Sequence, residues 1–150
     1  MQPARDVQPA DGDLRLTFLA SPFGVRDGLA QMLAAPPLGD LAPDLRGTAE
    51  LVLAEVLNNI AEHAYAAGPG PVTVTLTAEP GGTRCLVVDQ GLAMPGGRVP
   101  VGNLPSADTA VEDLPEGGFG WHLIHSLTRD LSYHRAGACN RLGFLLPHGG

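Results

Sequence analysis

Residues 53–65 read Leu53-Ala54-Glu55-Val56-Leu57-Asn58-Asn59-Ile60-Ala61-Glu62-His63-Ala64-Tyr65, and wound as an α-helix the stretch separates into two faces. Leu53, Val56, Leu57, Ile60, Ala61 and Ala64 share one of them, the apolar stripe of a helix laid against a core. Glu55, Asn58, Asn59 and Glu62 fall on the other. Solvation is the plain explanation of a polar face. Yet each of the two adjacent asparagines costs roughly half a kcal/mol relative to alanine in a helix, and no arginine stands one turn away to pair with either glutamate. A carboxylate and an amide one turn apart carry a chemistry of their own. Glu55 can serve as general base toward a hydroxyl or water, and Asn59 can offer an oxygen to Mg²⁺.

Working outward, the helical pattern begins at Thr48 and runs to about Ala67, where Gly68 and Pro69 end it. Before it, Leu14, Leu16 and Phe18 alternate with Arg15 and Thr17 as a half-buried strand does. Val25, Leu29, Met32 and Leu33 recur at helical spacing until Pro36 and Pro37. After it, Val72 to Ala78 and Arg84 to Val88 read as strands joined by Glu79-Pro80-Gly81-Gly82. Leu92 to Glu116 shows no period, and a structureless stretch of that length reads as a functional lid or a disordered segment. Gly117 to Gly120 opens a helix to about Asp130, and Leu131–Arg135 with Arg141–Leu146 closes the chain as a hairpin around Ala136-Gly137. The hairpin-linked strands predict an α+β fold: a two-layer sandwich, mostly antiparallel, with three helices on one face. The expected organisation is a flexible arm over 1–13, one domain over 14–146 and a tail over 147–150.

The chain has 150 residues with 44% hydrophobic content, enough for one core. Its net charge of −7 argues against general attraction to nucleic acid or anionic lipid. All nine basic residues are arginine. Without lysine there is no P-loop lysine, no kinase strand lysine and no Schiff base, so a phosphate site must use backbone N–H groups, arginine or a metal ion. Cys85 and Cys139 are too few for a disulfide framework, which suits a reducing compartment, and no run of residues from the hydrophobic set is long enough for a signal peptide or membrane span. The expected location is the cytoplasm.

Two further segments carry chemistry. Asp89-Gln90-Gly91 ends an apolar strand. Such a dipeptide-and-glycine is an ordinary turn, or a carboxylate fixed to accept a hydrogen bond from a base amino group, with Gly91 letting the ring approach the backbone. Glu116-Gly117-Gly118-Phe119-Gly120-Trp121-His122 enters a helix, and it reads either as a flexible hinge or tight helix entry, or as unpaired N–H groups making a phosphate cradle that needs no lysine.

The order of these pieces, acidic-asparagine helix, strand-Asp-x-Gly, proline-bearing lid and Gly-x-Gly opening a helix, resembles the GHKL (Bergerat-fold) ATPases. The closest likeness is to the anti-sigma-factor serine-protein kinases, over about residues 14 to 146, through the box Glu55-x-x-x-Asn59-x-x-Glu62-His63-x-Tyr65. The resemblance implies Glu55 as catalytic base, Asn59 as Mg²⁺ ligand and part of the ATP site, and Asp89 with Gly91 at adenine. It further implies Gly118 and Gly120 at phosphate, His63 at the nucleotide and Arg26 on the first helix as a protein contact. ATP and Mg²⁺ are then the cofactors, and a STAS-domain anti-anti-sigma factor and a sigma factor the partners, with a homodimer through an exposed sheet. The sequence departs from the family pattern at His122, where a glycine is common, at Ala64, and in the acidic lid residues Asp108, Glu112, Asp113 and Glu116. His122 and the lid favour the alternative of a nucleotide-sensing module that holds a partner without useful turnover. The catalytic domain of a sensor histidine kinase fits less well, because one short helix precedes the box and the box has no lysine. The histidines lack a cysteine or acidic set for a transition metal, and Trp121 reads as a core or lid-packing residue.

Overall fold

The computed structural model describes residues 13–101 and 118–148. Five strands form one sheet in the order β1-β2-β3-β5-β4, every neighbouring pair antiparallel. They are β1 (Asp13–Leu19), β2 (Pro71–Glu79), β3 (Gly82–Asp89), β4 (Arg129–Ala136) and β5 (Cys139–Pro147). Among the described residues three α-helices, α1 (Pro22–Ala34), α2 (Pro43–Asn59) and α3 (Gly118–Leu127), complete the α+β architecture.

The period-two pattern decides which sheet face the helices cover. Val72, Val74 and Leu76 of β2, Cys85 and Val87 of β3, and Leu142, Phe144 and Leu146 of β5 are all buried. Their registers align them in rows, with Leu76 opposite Cys85 and Cys85 opposite Phe144. Val52, Leu53, Val56 and Leu57 of α2 complete the layer, with Val25 and Met32 of α1 and Trp121 and Ile124 of α3 beside them. Among the described residues the other sheet face carries no helix: its central rows run Thr17–Thr73–Val88–Arg141–His134 and Arg15–Thr75–Leu86–Gly143–Ser132.

The elements differ from the sequence expectation at their ends. α2 starts at Pro43, a turn and more before Thr48, because proline suits the first helical position and Asp44 the positive end of the helix dipole; its polar opening turns hide the apolar period. The helix does not continue regularly to Ala67. After Asn59 it widens into a π turn over Ile60–Ala64, closed by the Tyr65 N–H bonding the Ile60 carbonyl at 3.0 Å. α3 stops at Leu127, and Arg129 and Asp130 belong to β4. Asp130 has φ 57° next to a register shift between Arg129 and Ser132, so the polypeptide turns sharply from helix into edge strand there. The arm up to Gly12 and most of the lid, including Asp108, Glu112, Asp113 and Glu116, lie outside the described residues.

Candidate nucleotide site

Part of the polar face of the Glu55–Glu62 stretch is covered by α3. α3 begins against it: a Cβ placed on Gly120 would fall inside contact distance of Glu55 Oε2 and 3.9 Å from Asn59 Nδ2. Glu55 and Asn59 are half-buried there, whereas Asn58 and Glu62 are exposed. Asn59 Nδ2 is buried with no hydrogen-bond partner among the described residues. An orphaned buried amide costs about 1–3 kcal/mol unless a ligand or water meets it. Glu55, Asn59 and Gly120 are thus brought together, and Gly118 opens the same helix.

Beside this cluster lies a cavity of about 530 Å³, walled chiefly by Val56, Ile60, Ala64, Met94, Trp121 and Leu142. Asn59, Glu62 and His63 sit at its α2 wall and Asp89 and Asn140 at the sheet. A flat apolar ring with a few polar edge groups matches such a lining. Trp121, 6% exposed, serves both as core and as cavity wall. His63 is exposed at the rim.

Asp89 is 5% exposed. Its Oδ1 accepts from the Gly91 N–H at 2.8 Å and from Asn140 Nδ2 at 2.7 Å, while Oδ2 accepts from no described residue. Gly91 lies against the end of the π turn: a Cβ there would strike the Ala64 carbonyl, which also accepts from the Leu92 N–H at 2.8 Å. The Asp-x-Gly turn is therefore seated on the π turn.

Several residues to which the sequence assigned no such role hold this arrangement. Tyr65 donates its hydroxyl to the Pro71 carbonyl at 2.6 Å and accepts from the Gln90 N–H at 2.8 Å, tying the π turn to β2 and β3. Burial pushes the Tyr65 phenol above its ordinary pKa, partly offset by the Gln90 bond. Asn140 of β5 faces Asp89 directly, in register. Period two was the available signal: Asn140 is in phase with Leu142, Phe144 and Leu146, and a polar residue on the core face must find partners. His125 meets the Pro100 carbonyl at 2.7 Å, fastening the start of the lid to α3, and His122 is 3.4 Å from Ser126 Oγ. Arg26 is exposed on α1, away from the cavity lining. Among the described residues no group of three or more His, Cys, Asp or Glu is placed to hold a metal.

An antiparallel sheet under three helices, with an apolar cleft between an acidic-asparagine helix and a strand-end aspartate, defines an α+β domain of the ATP-binding type. Residues 23–145 match the family model of the histidine kinase-like ATPase domain, and the chain belongs to that family. A search of curated proteins finds no match. No helix among the described residues is long and apolar enough to cross a membrane.

Proposed function

We propose that the chain is an ATP-dependent serine/threonine-protein kinase and anti-sigma factor, acting in the cytoplasm on a STAS-domain anti-anti-sigma partner and holding a sigma factor in alternation. The observation that carries this reading is the meeting of Glu55, Asn59 and Gly120 beside a cavity that Asn59 and Asp89 both line. The orphaned Asn59 amide fits a site for phosphate and its cation: Nδ2 has a donor to spare for a phosphate oxygen, and Oδ1 is a hard-cation ligand. Bound Mg²⁺ would supply neutralisation of charge on the phosphates. Asp89 Oδ2 would accept from the adenine amino group. Glu55 would take the proton of the partner's hydroxyl as its oxygen bonds to the γ-phosphorus and the bond to the β-phosphate oxygen breaks, leaving ADP.

Docking through α1 is part of the proposal. Phe23, 76% exposed, stands three residues from Arg26, an apolar anchor beside a cation on the same helix. A homodimer would use the open sheet face, where Leu86 and Val88 lie between Arg15 and Arg141. His122, half-buried in α3 where a phosphate-loop glycine is common, favours the second reading of a nucleotide-holding regulator with little turnover.

Incubation with labelled ATP, Mg²⁺ and a STAS-domain protein tests both. The kinase yields a phosphoprotein, and the regulator yields only a complex. Glu55→Gln should keep nucleotide affinity and lower transfer by about 10²-fold or more, the usual weight of a general base. Asp89→Ala should abolish nucleotide affinity, and equal transfer by Glu55→Gln and the parent would remove Glu55 from its role.

A further inference from the structure

The sheet has two outer edges, and they are finished differently. β4 carries devices that keep an edge from pairing further: a register shift between Arg129 and Ser132, the φ of 57° at Asp130, and the charges of Arg129, Asp130 and Arg135. β1 has neither bulge nor proline, and Asp13–Leu19 pairs without interruption against Thr77 to Pro71. Among the described residues nothing pairs with its other side, so the backbone groups pointing away from β2 form an open ladder about 23 Å long. The apolar layer is unfinished there too. Val72, Val74 and Leu76 of β2 are fully buried, whereas Phe18, Leu16 and Leu14, their partners in register, are only half-buried. Leu29 and Leu33 of α1, the helix that rests on Phe18 at Gly28, are half-buried as well. A strand added outside β1 would cover these side chains with its own apolar face.

The opposite face of such a strand would lie beside Arg15. Arg15 is exposed, stands opposite Thr75, and forms no ion pair with a carboxylate among the described residues. Asp13, two positions earlier on the same face, is the only carboxylate in β1. A cation at an open edge discriminates, because it repels a basic strand and attracts an acidic one. A second copy does not bring that acid to the edge. Pairing all of β1 antiparallel with itself centres on Leu16 and sets Arg15 against Thr17 and Asp13 against Leu19. The register that sets Asp13 against Arg15 keeps only Asp13 to Arg15 paired.

We propose that the outer edge of β1 is a docking site for an extended segment of another protein, one that alternates apolar and acidic residues and joins the sheet as a further strand. The backbone N–H and C=O groups of β1 supply affinity, Leu14, Leu16 and Phe18 select an apolar face, and Arg15 selects the charge of the other face. The inference is independent of the nucleotide reading, because β1 contributes nothing to the lining of the cavity.

The probe is a short, capped, fluorescently labelled peptide alternating valine and glutamate, titrated by anisotropy with the full chain. Two controls have the same length: valine alternating with lysine, and the valine–glutamate composition with like residues grouped. The parent should bind the alternating glutamate peptide about fivefold or more tightly than either control, although its net charge of −7 by itself favours lysine. Arg15→Glu, at an exposed position, should keep the melting temperature and reverse the order of the two alternating peptides. Should that variant fold poorly, Arg15→Gln should bring the two within about threefold of each other. Arg141→Gln, on the same sheet face but on β5, should leave all affinities unchanged. Hydrogen exchange should slow at β1 amides when the glutamate peptide binds. Equal binding of the grouped and alternating peptides, or a glutamate preference that survives Arg15→Glu, overturns the proposal. So does a loss in Arg141→Gln, which would put the peptide on the sheet face. Slowing of β1 exchange with rising protein concentration and no peptide would make a second copy the occupant and overturn it as well.

Discussion

At the scale of single residues, the site depends on contacts where there is no spare volume. Gly120 is the sharpest case. A methyl group there meets Glu55 Oε2, the mobile end of a side chain and not backbone. Gly120→Ala should therefore fold, and gain up to about 1 kcal/mol of helix stability from the replacement of glycine. Glu55 must swing away, so phosphate transfer should fall about tenfold or more while the melting temperature holds or rises. Thermal unfolding and transfer assays on the same preparation check this, and a variant with unchanged transfer would show that Glu55 needs no fixed position. Gly91 differs in kind, since its added atom would meet the Ala64 backbone, which cannot move without shifting the end of α2.

At the scale of elements, the π turn over Ile60–Ala64 supplies one wall of the cavity through Ile60, His63 and Ala64. Widened turns of this sort often occur at functional sites, because they re-aim the residues that follow. Tyr65 secures it through hydrogen bonds to the start of β2 and to the residue after β3, and Tyr65→Phe should cost about 1–2 kcal/mol in denaturant unfolding. The same group carries a pH dependence. The folded chain holds the Tyr65 proton more tightly than the unfolded chain does, chiefly through burial. Its contribution is fully present below the unfolded phenol pKa of about 10 and is lost as pH rises through the higher folded value. Urea titrations from neutral to strongly alkaline pH should show a fall in stability that is smaller in Tyr65→Phe. The other helix-to-strand junction, at Arg129 and Asp130, was hidden from the sequence, because two adjacent exposed polar residues carry no burial alternation to read.

For the whole molecule, the buried layer of α2 against β2, β3 and β5 is the rigid frame, and the cavity opens at the end of the sheet where Asp89 and Asn140 pair. A ligand that fills this cavity contacts α2, α3, β3 and β5 together, so it should stabilise the fold as a unit. ADP with Mg²⁺ at 100 times its dissociation constant should add about 2.7 kcal/mol, raising the melting temperature by several degrees. The increment should vanish in Asp89→Ala. A shift of the same size in that variant would place the nucleotide elsewhere.

The alternation of Leu14, Leu16 and Phe18, the apolar stripe of α2 and the in-phase positions of Leu142, Phe144 and Leu146 were readable from the amino acids, because burial periodicity is local and survives without coordinates. So was the chemical character of Glu55, Asn59 and Asp89, since a carboxylate or amide placed against its neighbours' propensity is visible in one dimension. Contact between distant segments was not. That Gly120 rests on Glu55, that Gly91 yields to Ala64, and that Asn140 clamps Asp89 across a 51-residue separation are facts of packing. They depend on how strands register and where a helix widens, and only the folded chain brings those surfaces together.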